Sequence, residues 1–238
     1  MIVLSIDSAS KVATAALLDE NNLIAEYTIN NKLEHSTLIM DIVDKLLKDS
    51  SLDIDDIDGF VVSKGPGSFT GLRIGMATVK GLSFGSNKPY ISVSSLDALA
   101  YSLVNFNGII CPIMDALRSS VYTCLYKGTN GALEKISDYS ALELDELIDL
   151  LKEKGENVIF TGDAVNKHKD YLLEHLPKAV FAPNHLSIIR ASSLGELGIK
   201  MLLNNECDDL NSSPFYLKKP QAQRELEKRL ALKNENNL

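Results

Sequence analysis

Residues 65 to 75 read Gly65-Pro66-Gly67-Ser68-Phe69-Thr70-Gly71-Leu72-Arg73-Ile74-Gly75. Glycine supplies backbone conformations that other residues avoid, and Pro66 fixes φ and removes a donor. The run follows a strand-like segment, Phe60-Val61-Val62-Ser63, and opens a helix-like one from Phe69 to Phe84. A glycine-rich turn between a strand and a helix presents backbone N–H groups to an anion. Two common phosphate loops are excluded by spacing. A P-loop ends in Gly-Lys-Ser/Thr, whereas Gly71 is followed by Leu72. The dinucleotide fingerprint is G-x-G-x-x-G, and Gly65, Gly67 and Gly71 are spaced G-x-G-x-x-x-G. The alternative is a tight loop that serves packing alone.

The helix after the loop has Gly71 and Gly75 four apart, then Ala77, Gly81 and Gly85 at the same interval. Residues at i and i+4 share a helix face, so small-residue stripes run along it. Each interior glycine costs about 1 kcal/mol relative to alanine. Close approach of another backbone, inside the fold or at a partner, would offset that cost.

Working outward, three β-like runs occupy 2–7, 12–18 and 23–29, the last two joined by Asp19-Glu20-Asn21-Asn22. A helix capped by Ser36 runs to about Lys48. After the glycine loop and its helix come a strand at 89–93 and a helix to about Val104, with Ser94 and Asp97 spaced as a capping box. Then the order restarts. Runs at 109–115, 119–126 and 132–139 read as strands, with a turn at Gly128-Thr129-Asn130-Gly131. Helices at 142–154, 164–176 and 191–203 alternate with strands at 158–161 and 180–182. Asp115 falls 108 residues after Asp7, each closing an apolar strand. The repeated β-β-β-α-β-α order predicts an α/β fold: a duplicated ribonuclease-H-like unit, the actin-like (ASKHA) two-lobed architecture. The lobes would be 1–106 and 107–238, the second ending in a marginal helix from Pro220.

The chain has 238 residues, 45% hydrophobic, and a net charge of −8 with no block of basic residues. That supports a real core and argues against strong direct RNA binding. Three widely spaced cysteines match no zinc or redox spacing, and no run suits a signal peptide or a membrane span. A reducing, cytoplasmic setting is expected.

In an actin-like cleft, Asp7 and Asp115 stand where carboxylates meet the phosphates of a nucleotide. Asp163, in Thr161-Gly162-Asp163, marks either another phosphate-side loop or a helix cap. Gly65 and Gly67 complete the nucleotide candidates, with no lysine clearly aimed between them. His35, His168, His175 and His185 lack the spacing of paired metal ligands on one helix, and no nucleophile arrangement emerges. Neither catalytic nor metal-binding residues are assigned.

The whole length resembles the TsaB (YeaZ) family. The resemblance rests on Ile6-Asp7-Ser8, Glu34-His35-Ser36, the 65–75 motif with Ala77-Thr78 and Lys80-Gly81-Leu82, and Val93 to Leu99. It continues through Asp115-Ala116, Val121-Tyr122, Thr161-Gly162-Asp163 and Pro214-x-Tyr216-Leu217-x-Lys219-Pro220. Where the family usually has Arg-Arg-Gly-Glu, this chain has Leu117-Arg118-Ser119-Ser120. The resemblance implies a non-catalytic subunit that binds TsaD, a related metalloenzyme, with the ATPase TsaE joining them. Together they would transfer threonylcarbamoyl to adenosine 37 of tRNAs that read ANN codons, so tRNA is met only indirectly. The positions matching the two metal-binding histidines of TsaD are Ser95 and Leu99. No cofactor is expected on the isolated chain, with ATP or ADP confined to the complex. The partner surface would be the 35–48 and 69–85 helices, through His35, Leu38, Ile39, Ile42, Leu46, Phe69, Arg73, Gly75 and Met76. The same patch would serve a homodimer. An actin-like ATPase or kinase built on Asp7 and the glycine loop is the rival reading; a metallopeptidase is another, opposed by the missing histidines.

Overall fold

Strand β1 (Val3–Asp7) is buried along its whole length, and the first lobe is built around it. A computed structural model of the chain describes residues 1–31, 35–117 and 119–218, with backbone alone at 35–37. The tail helix expected from Pro220 lies outside the described residues. β2 (Val12–Leu18) and β3 (Leu23–Asn30) add antiparallel strands beside β1. Their turn forms as Asp19 predicts: its carboxylate accepts the Asn21 and Asn22 N–H groups, both at 2.7 Å. Helix α1 (His35–Asp49) leads to β4 (Gly59–Gly65), which runs parallel to β1. Helix α2 (Phe69–Ser86) then leads to β5 (Tyr90–Ser94). The sheet order is β3-β2-β1-β4-β5.

After α3 (Ser95–Tyr101) the pattern repeats around β6 (Ile109–Asp115). The second lobe adds β7 (Ser120–Thr123), β8 (Tyr126–Thr129), β9 (Ala132–Lys135), β10 (Ser140–Glu143) and α4 (Leu144–Lys154). It closes with β11 (Val158–Thr161), α5 (Val165–His175), β12 (Val180–Phe181) and α6 (Ala191–Leu203). Its order is β10-β7-β6-β11-β12, the same path, with a β8–β9 hairpin attached to β6. Two sheets of like topology establish the duplicated ribonuclease-H-like, actin-like fold.

The apolar run 119–126 is two strands. β7 pairs with the end of β6, while β8 pairs with Ile109 and Ile110 at its start. Between them Cys124 and Leu125 are both fully buried, which breaks the alternation of a single strand. The run 132–139 holds only β9, and the sheet's outer strand is β10, from residues whose hydropathy suits the start of a helix. Leu142 lies opposite Val121 in β7, and α4 begins two residues later, with the Glu143 N–H on the Glu146 carboxylate at 2.9 Å. At α3 the Ser94 Oγ caps the Leu96 N–H. Asp97 does not complete the box. Its carboxylate accepts the Tyr126 and Tyr139 hydroxyls at 2.6 and 2.8 Å, joining α3 to the second lobe.

The first sheet is covered on both faces. Leu4, Ile6, Phe60 and Val62 pack beneath α1 and α2, whereas Val3, Leu18, Val61 and Val93 join α3 and α6 in a core that also takes Ile110, Met114 and Tyr126 from the second lobe. A Cβ on Gly195 or Gly198 would come within 2.4 Å of Leu18 or Val61, so α6 lies directly on the first sheet. Strands β1–β5 precede residue 107 and β6–β12 follow it, while α6 packs on the first sheet.

Candidate functional site

The glycine motif sits where β4 meets α2, against the β1–β2 turn. A Cβ on Gly67 would stand 2.3 Å from the Ala9 carbonyl oxygen, and one on Gly71 would stand 2.0 Å from that of Ser8. Gly75 faces the Ser8 hydroxyl. The Ser8 Oγ–H donates to the Gly71 carbonyl (2.8 Å), and the Ser68 N–H donates to that of Ala9 (2.6 Å). Gly65 has φ +105 and lies under the Phe215 carbonyl. Close backbone approach thus accounts for the glycines. Two amides at the helix start are already engaged, since the Gly71 N–H donates to Ser68 Oγ.

Beside this loop a cleft of about 980 Å³ separates the lobes. Gly67, Asp115 and Asp163 line it. Asp7 and Gly65 do not: Asp7 is fully buried, with Oδ1 accepting the Ala9 N–H, and holds the β1–β2 turn from behind. Their placement as ligand contacts is corrected accordingly. Asp163 is not the cap of α5; its Oδ1 accepts the Asp115 N–H at 3.0 Å, tying the ends of β6 and β11. Lysines do converge here, contrary to the expectation. Lys11 and Lys218 line the cleft, and Lys167 pairs with Asp115 at 3.1 Å. Nothing local in the sequence marks them, because they come from a hairpin, the last described segment and a helix. Leu117, at the tip of the β6–β7 turn, adopts φ +66, a left-handed conformation rare for a branched side chain.

Asp163 opens onto the cleft, yet the surrounding walls still deprive its carboxylate of water. That desolvation, with the Asp115 charge, pushes its pKa up against the pull of the Asp115 N–H and Lys11. A carboxyl whose folded pKa exceeds its unfolded value loses stability as pH rises through the window above about 3.8. Asp163→Asn should remove that decline, so thermal melts of the two proteins should diverge between pH 3 and 7, with the variant higher at neutral pH. Parallel curves would show that Asp163 ionises without strain.

The expected partner residues divide. Ile39, Ile42, Leu46 and Met76 are at most 4% exposed and belong to the first-lobe core. Gly75 is buried against Ser8 and Val62. All five are corrected from surface to interior: α1 must cover a sheet and pack on α2, so its apolar stripe is wide. The His35 side chain lies outside the described residues. Leu38 and Phe69 are half-buried and Arg73 is exposed, its guanidinium 4.0 Å from the Phe69 ring. The outward face of the pair instead presents Met40, Arg73, Ala77, Gly81 and Phe84, the last 76% exposed.

The family model described as TsaD, tRNA N6-adenosine threonylcarbamoyltransferase, matches residues 22–226. The tRNA threonylcarbamoyladenosine biosynthesis protein TsaB of Bacillus subtilis (strain 168) is 40% identical over 172 residues, covering 72% of this chain and 75% of that protein. The chain belongs to the TsaB (YeaZ) family. TsaB of Escherichia coli (strain K12) is 33% identical over 129 residues, 53% of this chain and 55% of that one. A solved structure from Pseudomonas aeruginosa, described as having similarity to peptidase YeaZ, superposes with a TM-score of 0.77 at 21% identity. It covers 91% of this chain and 99% of that one, and at that identity it speaks for the fold.

In this TsaB-family chain Ser95 and Leu99 are buried in the core shared by the lobes, with Leu99 just reaching the cleft wall. Among the described residues no group of three histidine, cysteine or carboxylate side chains is placed to hold a metal ion. No described helix is long and apolar enough to cross a membrane.

Proposed function

We propose that this TsaB-family protein is a non-catalytic subunit of tRNA threonylcarbamoyladenosine biosynthesis that docks TsaD through the outward face of α1 and α2. TsaE joins that assembly, and tRNA is engaged through the partners. The observation that carries the reading is the α2 surface: Ala77 and Gly81 leave a row without side-chain bulk, and Phe84 projects beside it. A helix from a partner can approach such a row closely, with an aromatic anchor at its edge. The family name of the B. subtilis relative supplies the pathway.

Co-purification of the full chain with the cognate TsaD tests this. Phe84→Glu and Ala77→Arg place charge on the exposed face and should weaken the complex at least about tenfold, the equivalent of ~1.4 kcal/mol. The free protein should keep its melting temperature. Retention of TsaD by both variants at parental affinity would move the interface elsewhere.

The cleft supports a second, smaller proposal. Lys11 and Lys218 beside Asp115 and Asp163 suit a nucleoside phosphate, and ATP or ADP would be held there firmly only within the complex. Isothermal titration of the isolated chain with ATP and Mg²⁺ should give weak binding without turnover. Hydrolysis at about 1 per second or faster, lost on Asp115→Asn, would favour the ATPase reading.

A further inference from the structure

After α6 the chain turns back along β5, the outer strand of the first sheet. The Asp208 N–H donates to the Tyr90 carbonyl and the Ser92 N–H donates to the Asp208 carboxylate, both at 2.8 Å. The Tyr90 hydroxyl donates to the Asp209 carbonyl (2.6 Å). Lys80, on α2, donates to the carbonyls of Leu210 (2.8 Å) and Ser212 (2.5 Å). These bonds occupy an edge that would otherwise be open to another strand. The segment then enters the cleft. The Phe215 N–H bonds to the Lys64 carbonyl at 2.7 Å, and Tyr216 packs on Phe69 with ring centroids 4.8 Å apart.

Only at its end does this segment reach the second lobe. Phe215 meets the edge of Tyr139 at 5.9 Å, and Lys218 donates to the Ala116 carbonyl (3.3 Å) with its ammonium 6.0 Å from the Tyr122 ring. Among the described residues the lobes also meet through the α3–α6 core and through the Tyr126 and Tyr139 hydroxyls on Asp97. That core is continuous and well packed. Phe215, Tyr216, Leu217 and Lys218 line the cleft itself.

We propose that residues 214–218 form a clamp, fixed to the first lobe and detachable from the second, that sets the opening of the interlobe cleft. The asymmetry of its anchoring carries the inference. On the first lobe it is held directly by the Phe215–Lys64 backbone bond and the Tyr216–Phe69 contact, and just upstream by the Asp208–Tyr90 bond and by Lys80 on Leu210 and Ser212. On the second lobe it meets Tyr139 through the Phe215 ring, and it meets the β6–β7 turn through Lys218, whose acceptor Ala116 adjoins left-handed Leu117. Displacement of Tyr139 together with that turn releases the second set and leaves the first intact. The lobes then move by small sliding across the packed α3–α6 core, the shear motion open to packed helices. The clamp requires no ligand and does not depend on the partner surface proposed above.

Distances between spin labels on the outer faces of the lobes test it. Asp44→Cys on α1 and Asp149→Cys on α4 are both exposed, and Cys207→Ser removes the exposed native thiol. In the full-length chain, Phe215→Ala with Lys218→Gln should broaden the distance distribution and lengthen its mean by several ångströms. Urea midpoints should stay near the parent's. Lys218→Gln alone should give a smaller shift in the same direction, which keeps the test available if the double variant fails to fold. A distribution unchanged in these variants, or one that widens only in proportion to a lowered urea midpoint, would overturn the clamp.

Discussion

Glu26→Ala should cost the fold about 3 kcal/mol, the low end of the loss when one member of a buried ion pair is removed, because the Arg190 side chain is 32% exposed. Glu26 lies on β3 with its side chain only 4% exposed. One carboxylate oxygen accepts the Ser192 N–H and hydroxyl, at 3.0 and 3.1 Å. The other accepts Nε of Arg190 at 3.0 Å and also its Nη2. Helix α6 begins at Ala191 with Arg190 as its cap residue and no side-chain cap of its own. Glu26 therefore supplies, from 166 residues away, the acceptor that a serine or aspartate would supply locally. It also binds the outer strand of the first sheet to the helix that returns from the second lobe. Removing it leaves a guanidinium and a helix amide without their acceptor, in surroundings that restrict water. Urea denaturation followed by circular dichroism measures the loss, and Glu26→Gln, which keeps one acceptor oxygen, should lose less. A change in midpoint worth below about 1 kcal/mol would mean that solvent replaces the pair, as at exposed ion pairs.

Much of the first lobe was legible because its signals are local. The strand into the glycine loop, the helix after it and the asparagine-rich hairpin are each specified by neighbouring residues. The repeat of strand order was enough to name the architecture. What stayed hidden depends on contacts between distant segments. Residues 140–143 are a strand only because β7 offers them an edge, and their composition suits a helix start equally well. Residues 191–203 were readable as a helix, but not as one lying on the first sheet. That position follows from Gly195 and Gly198 meeting Leu18 and Val61. Lys11, Lys167 and Lys218 share the region of Asp115 only after folding. The helix faces misled for a related reason. A stripe wide enough to cover both a sheet and a neighbouring helix leaves apolar residues that look surplus in sequence, so Ile39 and Met76 read as partner contacts although they are core.

The glycines of α2 should separate under a single kind of substitution. Gly71 and Gly81 sit on one helix and look alike in sequence, each within an i, i+4 row of small residues. A Cβ at 71 would lie 2.0 Å from the Ser8 carbonyl oxygen and 3.1 Å from its carbon. Neither atom belongs to a flexible side chain. Either the β1–β2 turn moves, breaking the Ser8–Gly71 and Ser68–Ala9 hydrogen bonds, or α2 shifts off the sheet. Gly71→Ala should accordingly cost about 3 kcal/mol, the upper end for overpacking a well-packed interior. At 81 a Cβ meets nothing within 4 Å, and the residue is exposed. There alanine removes only the conformational cost of glycine in a helix, so Gly81→Ala should gain about 0.5–1 kcal/mol. Paired urea titrations of the two variants decide the matter: losses of equal size would show that Gly81 is as closely packed as Gly71. The gain at 81 also bears on docking. A glycine that weakens its own helix, and whose added Cβ would meet nothing among the described residues, is accounted for if a partner backbone needs the space. Gly81→Leu should then leave the isolated protein at least as stable as the parent while weakening the proposed complex with TsaD, and parental affinity in that variant would remove this row from the proposed docking surface.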